Sequence, residues 1–305
     1  VPLQEAAARG FDAVEAGPRA ISWRSDAPAT LVWVEALDGG DPQVKVAMHD
    51  HLVTLAAPFA GTPTEIVALE YRLAAAGGPG GGGFGGISVT WARPDLAIVS
   101  ESWRRTRTTR TWAINPSSPT QAPRLLWQRS TEDRYGNPGR FELTHGTFGN
   151  VLLTSADGRY AYLSGNGASP EGDRPFLDRY DLASGKTERL FRSEAPFYEE
   201  IVALLDGEGT RLVTRRESKS EVTNYFIRDL VAKSLTALTQ FKDPNPSFAG
   251  VTSQFVTYKR PDGVELSATV YLPPGYNKDR DGPLPFYLWA YPAEFGSAQA
   301  ASQIN

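Results

Sequence analysis

Short apolar stretches alternate with tight-turn residues over Ala20–Thr239, and this spacing limits the possible folds more than any other feature of the chain. Turn pairs such as Asp157-Gly158 and Ser184-Gly185 supply the positive φ angles that a tight hairpin needs. Strands of this length and frequency predict a sandwich, a barrel or a propeller. The clearest predicted strands are Leu31–Leu37, Leu96–Trp103, Thr111–Ile114, Asn150–Ser155, Tyr160–Ser164, Arg211–Glu217 and Asn224–Leu230.

A loosely repeated unit favours the propeller among these folds. Segments 21–41, 87–103 and 152–167 each contain an apolar strand, a charged turn and a second strand. Degenerate repeats of about 40–50 residues are typical of propeller blades, although the spacing here is irregular. The first two segments carry tryptophan, arginine and aspartate near the turn: Trp23, Arg24 and Asp26, then Trp91, Arg93 and Asp95.

Charge and composition exclude several classes of function. The formal net charge of −4 argues against nucleic acid as the main partner, because binding to phosphates requires a basic surface. The absence of cysteine excludes disulfides, thiolate metal sites and a cysteine nucleophile. No apolar run reaches the length of about 18 residues that predicts a membrane span, and the first residues lack the pattern of a secretory signal. These observations leave the compartment unassigned.

The tract Ala74–Gly86 is dominated by glycine and alanine, so it offers few side chains for packing. We predict a flexible surface loop there. A phosphate-binding loop is the alternative, but it would require a following helix with Lys and then Ser or Thr. The residues that follow, Ile87–Asp95, are typical of a strand instead.

The character of the chain changes at Phe241–Pro246, where two prolines and an asparagine predict an extended linker. Beyond the linker, apolar and polar residues alternate from Val264 to Leu272, which predicts a strand. The turn Pro261-Asp262-Gly263 predicts that this strand forms a hairpin with Phe255–Tyr258.

The run Pro285–Tyr291 is apolar throughout, which is typical of a strand buried on both faces of an α/β sheet. Such a strand requires parallel neighbours and covering helices. Residues 292–305 are too few to supply them, so we expect the sheet to be unfinished.

Several long motifs carry a resemblance to a known family. The segment KRPDGVELSATVYLPPGYNKDRDGPLPFYLWAYPAEF (259–295) is similar to the start of the catalytic domain in prolyl-oligopeptidase-type serine peptidases. A run of long motifs in the right order is far more specific than one short motif. Further motifs, over about Ile21–Gln303, resemble the glutamyl endopeptidase branch of that family: ESWRRTRTTRTWAINP (101–116), STEDRYGNP (130–138), GNGASPEGDRPFLDRYDLASGKTERL (165–190), ESKSEVTNYFIRD (217–229) and AYPAEFGSAQAASQ (290–303).

The resemblance implies a mainly β fold in two parts. Residues 1–246 would form a partial β-propeller with a flexible glycine-rich insertion at about residues 73–86. Residues 247–305 would form the truncated N-terminal part of an α/β-hydrolase peptidase domain and contain its first strands. In family members the strand of Glu70-Tyr71-Arg72 runs almost directly into Gly85-Gly86-Ile87-Ser88, so the tract from Leu73 to about Gly83 is interpreted as an insertion.

The resemblance also implies a serine-type endopeptidase that cleaves peptides after Glu through an acyl-enzyme, with no cofactor. In the family, the nucleophilic serine lies in a Gly-x-Ser-x-Gly motif and is followed along the chain by the catalytic Asp and His. The 305-residue sequence contains no Gly-x-Ser-x-Gly motif. We therefore expect these residues to belong to a longer enzyme and to be inactive alone. Two alternatives remain open: a non-catalytic propeller that binds protein or carbohydrate, and an esterase or acyl hydrolase on the same fold.

Two groups of residues are candidates for a substrate site. Tyr291 lies where family members place a tyrosine whose hydroxyl donates a hydrogen bond to the oxyanion; the alternative is a tyrosine that caps a core strand. A bound glutamate side chain requires a cation, and arginine pairs with carboxylates in a bidentate manner. The run 104–110 supplies four candidates, for which a solvated hairpin tip is the alternative: Arg104, Arg105, Arg107 and Arg110.

Other polar residues are interpreted as structural. His49, His51 and His145 lack a Ser/Asp constellation, and no third ligand accompanies the first two, so no metal site is predicted. Glu199-Glu200 resembles the paired acids with which related dipeptidyl peptidases hold a substrate's amino group. Because adjacent residues on a strand point to opposite faces, we interpret the pair as a feature of the strand.

Overall fold

Antiparallel β-sheets dominate the structure. The computed structural model describes residues 10–73, 88–263, 265–290 and 294–303. Within these ranges, four sheets of four or five strands follow one another along the chain, and most strands pair with their neighbours in sequence. We call these sheets blades 1 to 4.

The strands of the first two blades run from residue 19 to residue 130. Blade 1 contains β1 (Arg19–Trp23), β2 (Thr30–Ala36), β3 (Asp50–Ala56) and β4 (Thr64–Leu69), paired in that order. Blade 2 contains β5 (Arg72–Leu73), β6 (Val89–Arg93), β7 (Leu96–Trp103), β8 (Thr108–Ile114) and β9 (Arg124–Ser130), with β5 and β6 both paired to β7.

The next two blades run from residue 140 to residue 237. Blade 3 contains β10 (Arg140–Phe141), β13 (Tyr160–Gly165), β14 (Phe176–Asp181) and β15 (Thr187–Arg192), with a small hairpin of β11 (Leu143–His145) and β12 (Asn150–Leu152) beside it. Blade 4 contains β16 (Tyr198–Leu204), β17 (Arg211–Glu217), β18 (Asn224–Asp229) and β19 (Ser234–Ala237), paired in that order.

Local sequence patterns placed several of these elements correctly. The strands β7 and β17 have the predicted bounds. The predicted turns at Gly158 and Gly185 are confirmed, since these glycines have φ angles of 70° and 72°. Glycine adopts this left-handed conformation without the steric cost that other residues incur.

The pairing of β5 and β6 with β7 shows how the glycine-rich tract interrupts blade 2. Leu73 lies opposite Glu101, and Val89 lies opposite Val99. Only Ser100 stands between those partners, and its N–H donates to the carbonyl oxygen of Ser88 at 3.3 Å. The ladder therefore passes from Leu73 to Ser88. The flexible loop predicted at about residues 73–86 falls almost wholly outside the described residues.

Blades 1 and 2 pack face to face. Successive side chains of a strand point to opposite faces of its sheet. Ala97 and Val99 of β7 are fully buried against Val34 and Leu52 of blade 1. Burial of each large aliphatic side chain contributes about 1.5–3 kcal/mol, so this shared core holds the two sheets together.

Blades 2, 3 and 4 continue the same arrangement. Ile98 of β7 packs with Leu163 of β13 in the core between blades 2 and 3. The neighbouring residue Tyr162 points the other way and packs with Leu212 of blade 4. Blades 2 and 3 thus bury both of their faces against different sheets, whereas each sheet of a sandwich buries one. The mainly β fold and the partial propeller predicted from the sequence are confirmed.

A short segment follows the blades. A 3₁₀ turn at Pro246–Phe248 leads to a hairpin of β20 (Thr252–Lys259) and β21 (Glu265–Leu272), and two one-turn helices follow, α1 (Lys278–Asp281) and α2 (Ala298–Ala301). The predicted hairpin is confirmed. No helix in the described ranges is long and apolar enough to cross a membrane.

The strand predicted for Pro285–Tyr291 is not formed over residues 285–290, so that prediction is wrong for this chain. The side chains of Phe286 and Trp289 are 80% and 74% exposed. An apolar run becomes a buried strand only where neighbouring strands accept its backbone hydrogen bonds and helices cover its faces. Among the described residues, the strands of the hairpin β20–β21 pair with each other alone, so they offer this run no ladder.

Candidate functional site

Four segments that connect strands lie together at one end of blades 1 and 2. The turn 104–107 joins β7 to β8, the loop 37–49 joins β2 to β3, and the connectors 70–71 and 131–139 lead into β5 and β10. Because neighbouring strands are antiparallel, these four connecting segments lie at the same end of the strands. We call this the connector end. Its turn 104–107 contains three of the four candidate arginines, and the fourth, Arg110, lies near the start of β8.

Arg104 and Arg105 form the exposed tip of the turn. Their backbone N–H groups donate to the two carboxylate oxygens of Asp12, at 2.7 and 3.1 Å. The guanidinium of Arg104 lies over the ring of Phe11, 4.7 Å from its centroid. The described residues offer no ion pair to the side chain of Arg105. Of the two, Arg105 therefore has the more available charge.

Arg107 is committed to contacts within the chain. Its guanidinium forms a salt bridge with Glu132 and donates to the carbonyl oxygen of Glu294 at 2.9 Å. The carboxylate of Glu132 also accepts hydrogen bonds from the backbone N–H of Gly296, at 3.0 and 2.9 Å. Arg107 therefore helps to hold the C-terminal segment against the connector end.

Arg110 is also fully engaged. It donates to Glu70 at 2.5 Å, to the side-chain oxygen of Gln128 at 2.8 Å and to the hydroxyl of Tyr71 at 3.0 Å. Burial alone would lower the pKa of Arg110, but the hydrogen bond and the charge of Glu70 raise it above its ordinary value. Arg110 thus neutralises Glu70 and positions Tyr71, and it has little capacity left for a ligand.

An open cavity of about 460 Å³ lies beside Arg105. Tyr71 and Trp103 form aromatic walls whose ring centroids are 5.8 Å apart, and the ring of His49 lies 4.6 Å from that of Trp103. The Nδ1 of His49 is 2.6 Å from the carbonyl oxygen of Glu70 and must therefore carry the proton of that hydrogen bond. The cavity is lined by residues 42–47 and by His49, Glu70, Tyr71, Trp103 and Arg105.

A buried ionic network contacts the residues that line the cavity. Arg72 donates to both carboxylate oxygens of Asp38, at 2.9 and 2.6 Å, and to Asp50 at 2.9 Å. Asp50 also pairs with Arg19, whose pKa is lowered by burial, an effect that the charge of Asp50 partly offsets. The guanidinium of Arg72 lies 5.9 Å from the ring centre of Trp103. The network thus fixes the loop 37–49 and one aromatic wall.

The C-terminal segment 294–303 docks on the connector 131–139. The side-chain oxygen of Gln303 accepts from the backbone N–H groups of Arg134 and Tyr135, at 2.6 and 3.3 Å. The side-chain nitrogen of Gln303 donates to Asp133 at 3.2 Å. Ala300 of α2 is buried. These contacts join residues more than 160 positions apart in the sequence.

Tyr291 lies outside the described residues, so its proposed role stays a prediction. Glu294, the first described residue after it, contacts Arg107 through its carbonyl oxygen. The described chain is therefore in contact with the connector end at Glu294. The structure brings the C-terminal segment and the arginine-rich turn together, and Arg105 of the same turn lines the cavity.

The paired acids of blade 4 do not form one site. Glu199 is 4% exposed and accepts hydrogen bonds from Arg228 at 2.7 and 2.6 Å. Glu200 pairs with a different residue, Arg215, at 3.0 Å. The two carboxylates serve separate ion pairs, as expected for adjacent residues on a strand.

The other histidines lie away from the cavity. His51 is 2.8 Å from Glu65 and 3.6 Å from Glu35, and His145 is 3.2 Å from Asn150. Among the described residues, no group of three or more His, Cys, Asp or Glu side chains is arranged to hold a metal ion.

The grouping of Tyr71, Trp103 and Lys45 was missed from the sequence. Tyr71 and Trp103 flank the pairing of Arg72 with Ser102, so a prediction of that strand pair would have brought the aromatic rings together. Lys45 lies in a loop with no periodic pattern, and no sequence signal marked it.

Comparison with known proteins identifies relatives along the whole chain. It is 39% identical over 320 residues to the probable chloroplastic glutamyl endopeptidase of Oryza sativa subsp. japonica, which covers all of this chain and 33% of the relative. The corresponding protein of Arabidopsis thaliana is 38% identical, with 32% of its length covered. The resemblance to the glutamyl endopeptidase branch is confirmed. The chain spans about a third of the length of these curated relatives, and no family model matches it.

Solved structures show more distant likenesses. Oligopeptidase B from Leishmania major is 10% identical with a TM-score of 0.46, covering 86% of this chain and 40% of that one. Prolyl oligopeptidase B from Galerina marginata is 12% identical with a TM-score of 0.42, covering 82% of this chain and 30% of that one.

Proposed function

We propose that this chain forms the propeller and the beginning of the catalytic domain, with a boundary near residue 246, in a serine peptidase that cleaves peptides after Glu. The observation that carries the proposal is the 38–39% identity to glutamyl endopeptidases along the whole chain. The geometry supports it, since the connector end combines the arginine-rich turn with the segment that follows Tyr291. The substrate is a peptide, and no cofactor takes part in the proposed reaction.

The proposed chemistry is acyl transfer. A serine hydroxyl attacks the scissile carbonyl, a histidine takes the hydroxyl proton, and the resulting oxyanion is stabilised by hydrogen-bond donors. The hydroxyl of Tyr291 is one such donor. Removal of a single preorganised donor costs about 3–4 kcal/mol, or a rate loss of about 100- to 1000-fold. Because no Gly-x-Ser-x-Gly motif occurs in the 305 residues, this chain alone is inactive.

The proposed preference for Glu rests on the arginines of the connector end. Arg107 and Arg110 are engaged within the chain, and Arg104 lies against Phe11. Arg105 is the candidate whose guanidinium the described residues leave unpaired. A guanidinium binds a carboxylate more strongly than a neutral amide because the hydrogen bonds are charge-assisted.

The test uses the full-length protein and peptides that differ only by Glu or Gln at one position. We expect cleavage after Glu, with kcat/KM at least about tenfold lower for Gln, as loss of one charge-assisted contact predicts. Tyr291→Phe should lower kcat about 100-fold with little change in KM. Unchanged turnover by Tyr291→Phe would exclude the oxyanion role. Peptide cleavage by the 305-residue chain alone, or faster cleavage of simple esters than of peptides, would contradict the proposal.

A further inference from the structure

We propose that the cavity beside the turn 104–107 is a peptide subsite that binds an acidic side chain next to an aromatic one. This inference rests on the proposed peptidase function and names a part of the substrate that the enzyme recognises. Binding at this subsite uses residues of this chain alone and needs no nucleophile.

The size and the walls of the cavity suit an amino-acid side chain. Its volume of about 460 Å³ lies within the range of about 300–1,000 Å³ that is typical of ligand sites. Tyr71 and Trp103 are inclined at 30° to each other, and His49 continues the aromatic surface. Aromatic pairs of this kind contribute about 0.5–1.5 kcal/mol beyond their buried area, so a third ring from a peptide would be held favourably.

The charges of the cavity select an acidic ligand. Lys45 and Arg105 both line it, and no partner within the described ranges pairs with either side chain. Glu70 is the one carboxylate in the lining, and its charge is already balanced by Arg110 at 2.5 Å. The cavity therefore presents two uncompensated cations, although the whole chain carries a net charge of −4.

The walls are fixed before a ligand arrives. The backbone N–H of Tyr71 donates to the buried carboxylate of Glu101 at 2.7 Å, and Arg110 holds the Tyr71 hydroxyl. Trp103 lies against Arg72, whose guanidinium is anchored by buried aspartates. Rigid walls reduce the entropy lost on binding, so more of the contact energy appears as affinity.

The position of the cavity fits a substrate subsite. Arg105 lines it, while Arg107, on the same short turn, holds Glu294 just after Tyr291. A peptide bound in the cavity would extend along the connector end, beside the C-terminal segment.

The experiment measures binding of two peptides to the 305-residue chain by isothermal titration calorimetry. The probes are acetyl-Ala-Glu-Phe-Glu-Ala-amide and its counterpart with Gln in place of both Glu residues. We expect the acidic peptide to bind about tenfold more tightly, as one charge-assisted pair predicts. Because surface charges are screened by salt, this ratio should fall as ionic strength rises from 50 to 500 mM and the Debye length shortens from about 14 Å to about 4 Å. Equal affinities for the two peptides, or no binding of either, would overturn the proposal.

Two substitutions and a control locate the binding site. Arg105→Gln should remove most of the tenfold ratio, and Lys45→Gln should remove part of it. Both side chains are exposed and unpaired among the described residues, so folding should be unaffected. Arg192→Gln, at an exposed arginine of blade 3, is the matched control and should leave the ratio unchanged. An Arg105→Gln ratio equal to that of the control would also overturn the assignment.

The binding result and the activity result fail independently. Selective binding by this chain together with no cleavage after Glu by the full-length protein would overturn only the proposed function. Cleavage after Glu together with equal binding of the two peptides would overturn the subsite and the role of Arg105 in the Glu preference, and would leave the proposed reaction standing.

Discussion

Arg72 connects more parts of the connector end than any other residue discussed above. Its guanidinium lies between Asp38 in the loop after β2 and Asp50 at the start of β3, and its Nε donates to the carbonyl oxygen of Asp12 at 2.8 Å. Buried ion pairs add little net stability compared with apolar packing, but removal of one partner leaves an uncompensated buried charge. Arg72 therefore matters mainly because two buried carboxylates depend on it.

Methionine keeps most of the side-chain volume of arginine but removes its charge. Arg72→Met should therefore destabilise the chain by about 3–5 kcal/mol, because it leaves buried carboxylate charge uncompensated. The control is Arg260→Met, which breaks a pair with Asp262 in which both side chains are 54% exposed. An exposed pair of this kind contributes little to stability, because solvent screens it and both side chains lose freedom in forming it. The measurement is the free energy of unfolding in urea for each variant. Similar losses for the two variants would show that the buried carboxylates do not depend on Arg72.

At the scale of the element, β5 and β6 behave as one strand with a sequence inserted into it. The partners of Leu73 and Val89 on β7 are separated by Ser100 alone, and Ser88 fills the position opposite it. The ladder of blade 2 is therefore complete without residues 74–87. The cost of closing a loop changes slowly with its length, so such an insertion is compatible with an intact blade.

Deletion of residues 74–87, which joins Leu73 directly to Ser88, should preserve the fold. The expected change in unfolding free energy is within about 1 kcal/mol, in the direction of greater stability, because loop closure no longer costs entropy. Thermal unfolding followed by circular dichroism provides the measurement. A fall in Tm of more than 10 °C, far beyond the ~2–4 °C per kcal/mol expected for a larger domain, would show that the strand needs the inserted residues.

Elements that depend on local pattern were predictable, and elements that depend on distant partners were not. Leu96–Trp103 begins with four apolar residues and is bounded by turns, so its limits follow from nearby residues. The run predicted as a strand, Pro285–Tyr291, is apolar throughout, but over its described residues 285–290 the hairpin β20–β21 gives it no strand to pair with. Successive side chains of any strand, β7 included, alternate between its two faces. This alternation did not reveal that Ala97 would face blade 1 and Ile98 would face blade 3.

At the scale of the whole molecule, the candidate site was partly predictable. The charge run 104–110 is visible in the sequence, and the structure places Arg104, Arg105 and Arg107 in the turn between β7 and β8. Their division of roles was not visible, since Arg107 depends on Glu132 and Arg110 depends on Glu70. Such pairings join residues from separate strands and connectors, and one sequence carries no direct record of them. The aromatic cavity depends on the same pairings.

The docking of the C-terminal segment depends on one carboxylate. Glu132 bridges the guanidinium of Arg107 and the backbone N–H of Gly296, and a side chain at Gly296 would approach the Glu132 carboxylate within 3.2 Å. Glu132→Ala therefore removes the acceptor for both donors. We expect the segment 294–303 to open more often, because the contacts of Gln303 with the connector remain as its main anchor.

Hydrogen exchange measures this opening directly. In Glu132→Ala the amide of Gly296 should exchange about tenfold faster, which corresponds to a loss of about 1.4 kcal/mol of local stability. Amides in the core strands, such as Val99, should be unaffected because they exchange through larger openings. Glu171→Ala, at an exposed glutamate of the loop after β13, is the matched control. Equal exchange of Gly296 in both variants would mean that Gln303 and α2 hold the segment 294–303 without Glu132, and that the arginine-rich turn does not position that segment.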